Sequence, residues 1–180
     1  VVALTRFGAY ASVLNVDAAL LRRAPAEWSA AQAAAWPVQG LTAWYGLVPL
    51  GAVTKGDIVL VQSAAGGVGL QALAMLQNLG ARPLAVVGHE SKRRFLIEQR
   101  GMAPAAVIVR GRRHFARQLD AGLGALGTTS FDCVLDAVLG PGFRPSFERL
   151  GPEGRYVLFG AADFMTASAR PNYLRLAVRY

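Results

Sequence analysis

Residues 58–69, IVLVQSAAGGVG, decide the fold. Residues 58–62 form a short run of β-branched and apolar residues that reads as a buried strand. Small residues follow, and from Val68 an apolar pattern of helical period runs to Leu79, with Gly80 as its stop. A strand, a tight turn and a helix in that order leave the first amides of the helix without carbonyl partners. The positive end of the helix dipole makes such a turn a seat for a phosphate.

Ala64, Gly66 and Gly69 occupy the three small-residue positions of a dinucleotide fingerprint, with alanine replacing the first glycine. The pyrophosphate candidates are therefore Ala65, Gly66, Gly67, Val68 and Gly69. A glycine cluster alone more often marks an ordinary turn. Here a strand precedes it, a helix follows it, and a second apolar run at 84–87 lies at the distance that completes a βαβ unit.

Working outward, further strands are expected at 106–109, 131–135 and 155–159, and helices at 91–100, 112–121 and 143–150. Strands alternating with helices predict a parallel sheet covered on both faces, so the expected fold class is α/β, a doubly wound parallel sheet. Upstream, 9–16 reads as a strand. An alanine-rich helix opens at Trp28 or Ser29 and is expected to end or kink at Pro37, with a second helix at 39–50. Both ends of the chain read as cut, which suggests a fragment of a longer protein.

Composition narrows the function classes. A hydrophobic fraction of 53% against 17% charged residues describes a packed domain, not a disordered chain. Cys133 is the single cysteine, which excludes an intrachain disulfide framework and a cysteine-rich zinc centre and makes a cytoplasmic location the expectation. The net charge of +8 comes from scattered basic residues, all but Lys55 and Lys92 being arginine, and no nucleic-acid motif accompanies them. Residues 28–54 carry no charge, but Pro37, Pro49, Gly40, Gly46 and Gly51 interrupt them, so no integral membrane segment is expected. His89 and His114 lie on separate loops, leaving no metal-ligand spacing, so no metal site is expected. Cys133, inside an apolar run, is not placed as a nucleophile.

The order PAEWSAAQAAAWPVQGLTAWYGL, KGDIVLVQSAAGGVGLQALAMLQNLGA and a late LFGAA resembles the zinc-independent medium-chain dehydrogenase/reductases, the quinone oxidoreductase-like group. The closing FGAADFMTASARPNYLRLAVRY looks most like its VAT-1-like branch. The resemblance implies an NADP-binding Rossmann domain at 26–180, with 1–25 as a remnant of a GroES-like catalytic domain and linker. It further implies an NADPH-dependent, zinc-independent oxidoreductase that delivers a hydride to a quinone or an α,β-unsaturated carbonyl. The alternatives are a nucleotide-binding VAT-1-like adaptor without efficient catalysis, or the enoyl reductase domain of a polyketide or fatty acid synthase. Expected partners are a small-molecule electron acceptor and a second copy of the chain in a homodimer, with no nucleic acid.

An NAD site wants a carboxylate at the end of the second strand, whereas a 2′-phosphate wants that acid absent and a cation near. Here the strand ends Val86, Val87, Gly88, so NADPH is favoured over NADH. By resemblance Lys92 binds the 2′-phosphate, with Arg93 and Arg94 assisting. The competing readings are a solvated first turn at 92–94, and Glu90 reaching back to the ribose. Arg110 stands where the family often has an adenine-facing tyrosine, and a guanidinium also stacks on such a face. At the nicotinamide end resemblance points to Thr42, Phe159, Gly160 and Ala161, with Thr42 equally readable as a hydroxyl bonded to its own helix. Asp136 either lies near the cofactor or caps the turn that follows it. No catalytic side chain is assigned.

Overall fold

The computed structural model describes residues 1–111 and 113–162. Its centre is a five-stranded parallel sheet in the order β3-β2-β1-β4-β5, with β1 at Ile58–Gln62, β2 at Arg82–Val87, β3 at Val107–Val109, β4 at Phe131–Asp136 and β5 at Leu150–Leu158. The helices are α1 at Ala30–Tyr45, α2 at Gly67–Leu79, α3 at Glu90–Arg100, α4 at Phe115–Ala125 and the short α5 at Phe143–Phe147. This is the doubly wound α/β architecture expected, and its strand order reverses between β1 and β4, where such sheets bind ligands.

Alternate residues of each strand feed two cores. Val59, Val61, Ala85, Val87, Cys133 and Leu135 face one side with Ala72, Leu76 and Leu96 from the helices. Ile58, Leu60, Leu84, Val86 and Val134 face the other with Phe115, Leu119 and Leu123. Covering both faces explains why β1 is buried at every position and reads as an unbroken apolar run. On the second side Arg149 grips Asp120 through Nε and Nη2, at 2.6 and 2.8 Å, and holds that carboxyl below its ordinary range.

Several element boundaries differ from expectation. Pro37 does not end a helix: α1 runs through it, with Pro37 buried, and passes into a π-helical turn at Gly46–Leu50. Losing one amide is outweighed by the packing of α1 along α2 and of the Gly46 turn on β4, where a Cβ at Gly46 would lie 2.7 Å from Leu135 Cδ1. β2 starts two residues before the expected 84, including Pro83. That proline pairs with Val59 on one side, and β3 joins the other side only from Ala85, so no ladder partner waits for the missing N–H. β5 starts at Leu150, not 155, because 151–154 form an irregularity between the Phe131 and Cys133 pairings and not a free turn.

The helix expected at 112–121 lies at Phe115–Ala125, and residue 112 itself is outside the described residues. Gln118 delays its start by accepting from the Gly111 amide and donating to the Val109 carbonyl. It continues past 121 because Gly122 packs against Leu84, where a Cβ would meet Cδ2 at 2.7 Å. The helix expected at 143–150 closes at Phe147. Residues 9–16 are not a strand. They are largely exposed bends, and the only pairing among the described residues before α1 is an isolated antiparallel bridge of Val2 with Arg22. Most of the segment that carried the VAT-1-like resemblance, 163–180, lies outside the described residues.

Candidate functional site

The turn after β1 is built around backbone contacts. Ser63 adopts a positive φ of 54°, which turns the chain sharply, and the Ala64 amide donates to the Val86 carbonyl at 3.0 Å, pinning the turn to β2. The Gly66 amide donates to the Ser63 carbonyl at 2.8 Å, and Gly66 is the N-cap of α2 with no side-chain cap. The first-turn amides of Gly67, Val68 and Gly69 therefore face outward without carbonyl partners in the helix. Gly69 serves packing: a Cβ there would lie 2.5 Å from the Ser63 carbonyl oxygen. Gly67 lies under the Gln39 side chain of α1, which would stand 2.3 Å from an added Cβ. Ala65 and Val68 are half-buried and pack against the first core.

Beside this turn, at the carboxyl ends of β1, β2 and β3, lies a hollow of about 250 Å³ lined by Gln62, Ser63, Val86, Val87, Gly88, Lys92, Arg110, Val138 and Ala162. Gly88, Lys92 and Arg110, separated in sequence, thus meet in one place. No acid is among the lining residues. Gly88 faces open space, with nothing within 4 Å of an added Cβ, so its lack of a side chain leaves room for a ligand and does not serve packing.

The competing cations and acids near Lys92 are tied elsewhere. Arg93 donates to the Val107 and Pro104 carbonyls, both at 3.2 Å, and to Glu90 Oε1 at 3.2 Å. Its expected assistance to a phosphate is therefore not what it does: it fastens α3 to the start of β3. The same ion pair occupies Glu90, which weighs against that carboxylate serving a ribose. Arg94 does not line the hollow. His89 caps α3, its Nδ1 accepting from the Ser91 amide at 3.2 Å.

A second, apolar hollow of about 480 Å³ lies along the π-helical turn and the end of β5, bringing Thr42 and Phe159 together with Leu41, Trp44, Tyr45 and Leu158. The Thr42 hydroxyl donates to the Val38 carbonyl at 2.7 Å, which is the own-helix reading. Past β5 the Phe159 amide donates to the Asp136 carbonyl, and a Cβ at Gly160 would lie 2.8 Å from the Ala137 carbonyl oxygen. Gly160 thus lets the exits of β4 and β5 approach, and Ala161, half-buried, continues that path.

Asp136 is fully buried and caps its turn. Oδ1 accepts from the Val138 and Leu139 amides at 2.7 and 3.1 Å, and Oδ2 accepts from the Tyr156 hydroxyl at 2.6 Å. That turn places Val138 on the hollow and holds Leu139 at a φ of 57°. Sequence reasoning missed Gln62 and Ser63. Gln62 is 2% exposed, its Nε2 donates to Ser146 Oγ at 3.3 Å, and its buried Oε1 has no partner among the described residues. A lone glutamine closing an apolar strand was the available signal. Cys133 is buried, and desolvation pushes its thiol up to about 12, which removes it from nucleophilic chemistry. Among the described residues no three His, Cys, Asp or Glu side chains gather as a metal site, and no helix is long and apolar enough to cross a membrane.

No family model matches the chain. The highly reducing polyketide synthase curS1 of Aspergillus terreus is 33% identical over 172 residues, covering 96% of this chain and 7% of that protein. The chain spans less than a tenth of the length of the curated relatives it matches. Among solved structures, the CurK enoyl reductase is 32% identical with a TM-score of 0.69, over 78% of this chain and 40% of that one. The nucleotide-binding subdomain of the enoylreductase domain of PpsC from Mycobacterium tuberculosis is 30% identical with a TM-score of 0.60, over 78% of this chain and 74% of that one. The first is a polyketide synthase and the two solved structures are enoyl reductases, and none of them supports the VAT-1-like branch. With three quarters of the PpsC subdomain matched in sequence and fold, the chain belongs to the medium-chain dehydrogenase/reductase family, as a nucleotide-binding domain of the enoyl reductase kind.

Proposed function

We propose that the chain is the NADPH-binding part of an enoyl reductase that acts on an α,β-unsaturated acyl thioester within a larger synthase. The observation that carries this is the acid-free hollow at the end of β2, with Lys92 and Arg110 on its wall, in a chain whose relatives are enoyl reductases of polyketide synthases. The relatives favour an enoyl acceptor over the quinone that the sequence resemblance put first.

The residues fit the cofactor. A 2′-phosphate needs a cation and no competing carboxylate, and the lining residues supply both conditions. The first-turn amides of α2 would hold the pyrophosphate, and Gly66 at the N-cap brings no side chain to compete for them. The bound nicotinamide would supply a hydride to the electron-poor β-carbon of the acceptor. Around the Thr42 hollow, Trp44, Tyr45, Leu158 and Phe159 offer an apolar wall for an acyl chain. Residues 1–25 would belong to the acceptor-binding part, and a homodimer is part of the same reading, checked by sedimentation.

The test is steady-state oxidation of NADPH by the full-length protein, with a crotonyl thioester of pantetheine and with a benzoquinone, with and without a chelator. A higher kcat/KM for the thioester, unchanged by the chelator, is expected. Preference for the quinone would restore the first reading, and tight NADPH binding without turnover of either would favour a non-catalytic adaptor.

A further inference from the structure

We propose that Arg110 reads the 2′-phosphate together with Lys92, as a second cation that determines cofactor specificity, and does not stack on the adenine. The inference rests on the NADPH reading above and deepens it. Three observations converge. First, the Arg110 amide donates to the Val87 carbonyl at 2.9 Å, which fixes its Cα beside the acid-free end of β2, while Lys92 reaches the same hollow from the first turn of α3. Second, among the described residues neither the Lys92 ammonium nor the Arg110 guanidinium has a side-chain hydrogen bond or ion pair, and the nearby Glu90 is already engaged by Arg93. Two unpaired cations around one small hollow repel each other unless an anion comes between them.

Third, Gly142 leaves room for the Arg110 side chain beside the hollow, between Gln62 and the edge of Phe115. A Cβ at Gly142 would lie 3.8 Å from Arg110 Cδ and 3.3 Å from Gln62 Nε2, so the two side chains converge on a glycine that leaves them space. Gln62, 2% exposed, closes the base of the hollow with its Nε2 held by Ser146. An arginine fork satisfies a phosphate with two parallel N–H donors, which a lysine cannot do alone. A hollow with two unpaired cations and no acid on its wall suits a phosphomonoester better than a purine face.

Calorimetry with 2′,5′-ADP and 5′-AMP separates the two roles, because the probes share the adenosine and differ in the 2′-phosphate. Wild type is expected to bind 2′,5′-ADP more tightly. Arg110→Gln and Arg110→Tyr should each cut that preference by roughly tenfold or more, and Arg110→Lys, which keeps the charge without the fork, should lose less than either. All three keep the backbone amide, so the Val87 tether survives, and circular dichroism confirms folding. The salt dependence of 2′,5′-ADP binding should also become shallower in the two charge-removing variants. If Arg110→Gln weakens both probes equally, or Arg110→Tyr keeps the wild-type preference, Arg110 stacks and the proposal fails while the NADPH reading stands. If wild type does not distinguish the probes, both fail together.

Discussion

Gly69 lies so close to Ser63 that a Cβ at position 69 would sit 2.5 Å from the Ser63 carbonyl oxygen, with the Ala64 carbonyl oxygen at 2.6 Å. Both neighbours are backbone, and the backbone is pinned to β2 through Ala64, so neither yields easily. Gly69→Ala should therefore destabilise by about 1–3 kcal/mol, as overpacking does. Gly88→Ala meets nothing within 4 Å and should change stability by about 0.5 kcal/mol or less while weakening nucleotide binding. Urea unfolding and calorimetric titration of the two variants check this. Equal stability losses would mean that the turn relaxes freely.

Two adjacent cations at the start of α3 should behave differently. Lys92→Ala should lower NADPH affinity selectively, by about 1.5–3 kcal/mol, and leave NADH affinity nearly unchanged. Arg93 holds the Val107 and Pro104 carbonyls and Glu90, so Arg93→Ala should lower stability and weaken both cofactors alike. Titrations of both variants with both cofactors, alongside thermal unfolding, distinguish a phosphate contact from a structural fastening. A selective NADPH loss in Arg93→Ala alone would reverse the assignment.

The fold was legible because periodicity and small residues survive without their context. The run at 58–62 is apolar because both faces of β1 are covered, and the helix after it starts where glycines allow it. The boundaries that escaped, at Pro37, Pro83 and Gly122, are places where tertiary contacts override local preference: a buried proline kept in α1, a proline amide with no partner to miss, and a glycine chosen for Leu84. In the site, the fingerprint and the acid-free end of β2 at Gly88 came from the βαβ pattern, Lys92 and Arg110 came from the family resemblance, and their meeting in one hollow is visible only in the structure. Gln62 and Ser63 were not legible, since a positive φ at serine and an unpartnered amide oxygen exist only in three dimensions.

Asp136 should act as a turn cap and not as a cofactor ligand. Asp136→Ala would strand the buried Val138 and Leu139 amides, at about 1–3 kcal/mol for each, and would remove the acceptor of the Tyr156 hydroxyl. Asp136→Asn keeps an oxygen for the two amides and places an amino group towards a hydroxyl that also accepts, so it should cost much less. Chemical denaturation of the pair gives the contrast. If Asn is as damaging as Ala while both fold, the carboxylate charge and not its acceptor geometry holds the turn.

Cys133 should give the protein an alkaline limb of instability. Burial, its largest cause, raises the thiol from 9.0 to about 12, with the Asp57 charge adding and Arg155 opposing. Between these values the unfolded chain has released the thiol proton and the folded chain has not. The unfolded state then binds fewer protons, and stability falls as pH rises through that window. Below about pH 8 the thiol is protonated in both states and contributes no slope. Cys133→Ala should flatten the decline between about pH 9 and 11, at the cost of a small cavity. In the native protein a disulfide reagent at pH 8 should react only as fast as the chain opens, and at once after denaturation. Rapid labelling of folded protein, or an unchanged alkaline slope in Cys133→Ala, would show that the thiol is neither sealed in the sheet nor shifted by it.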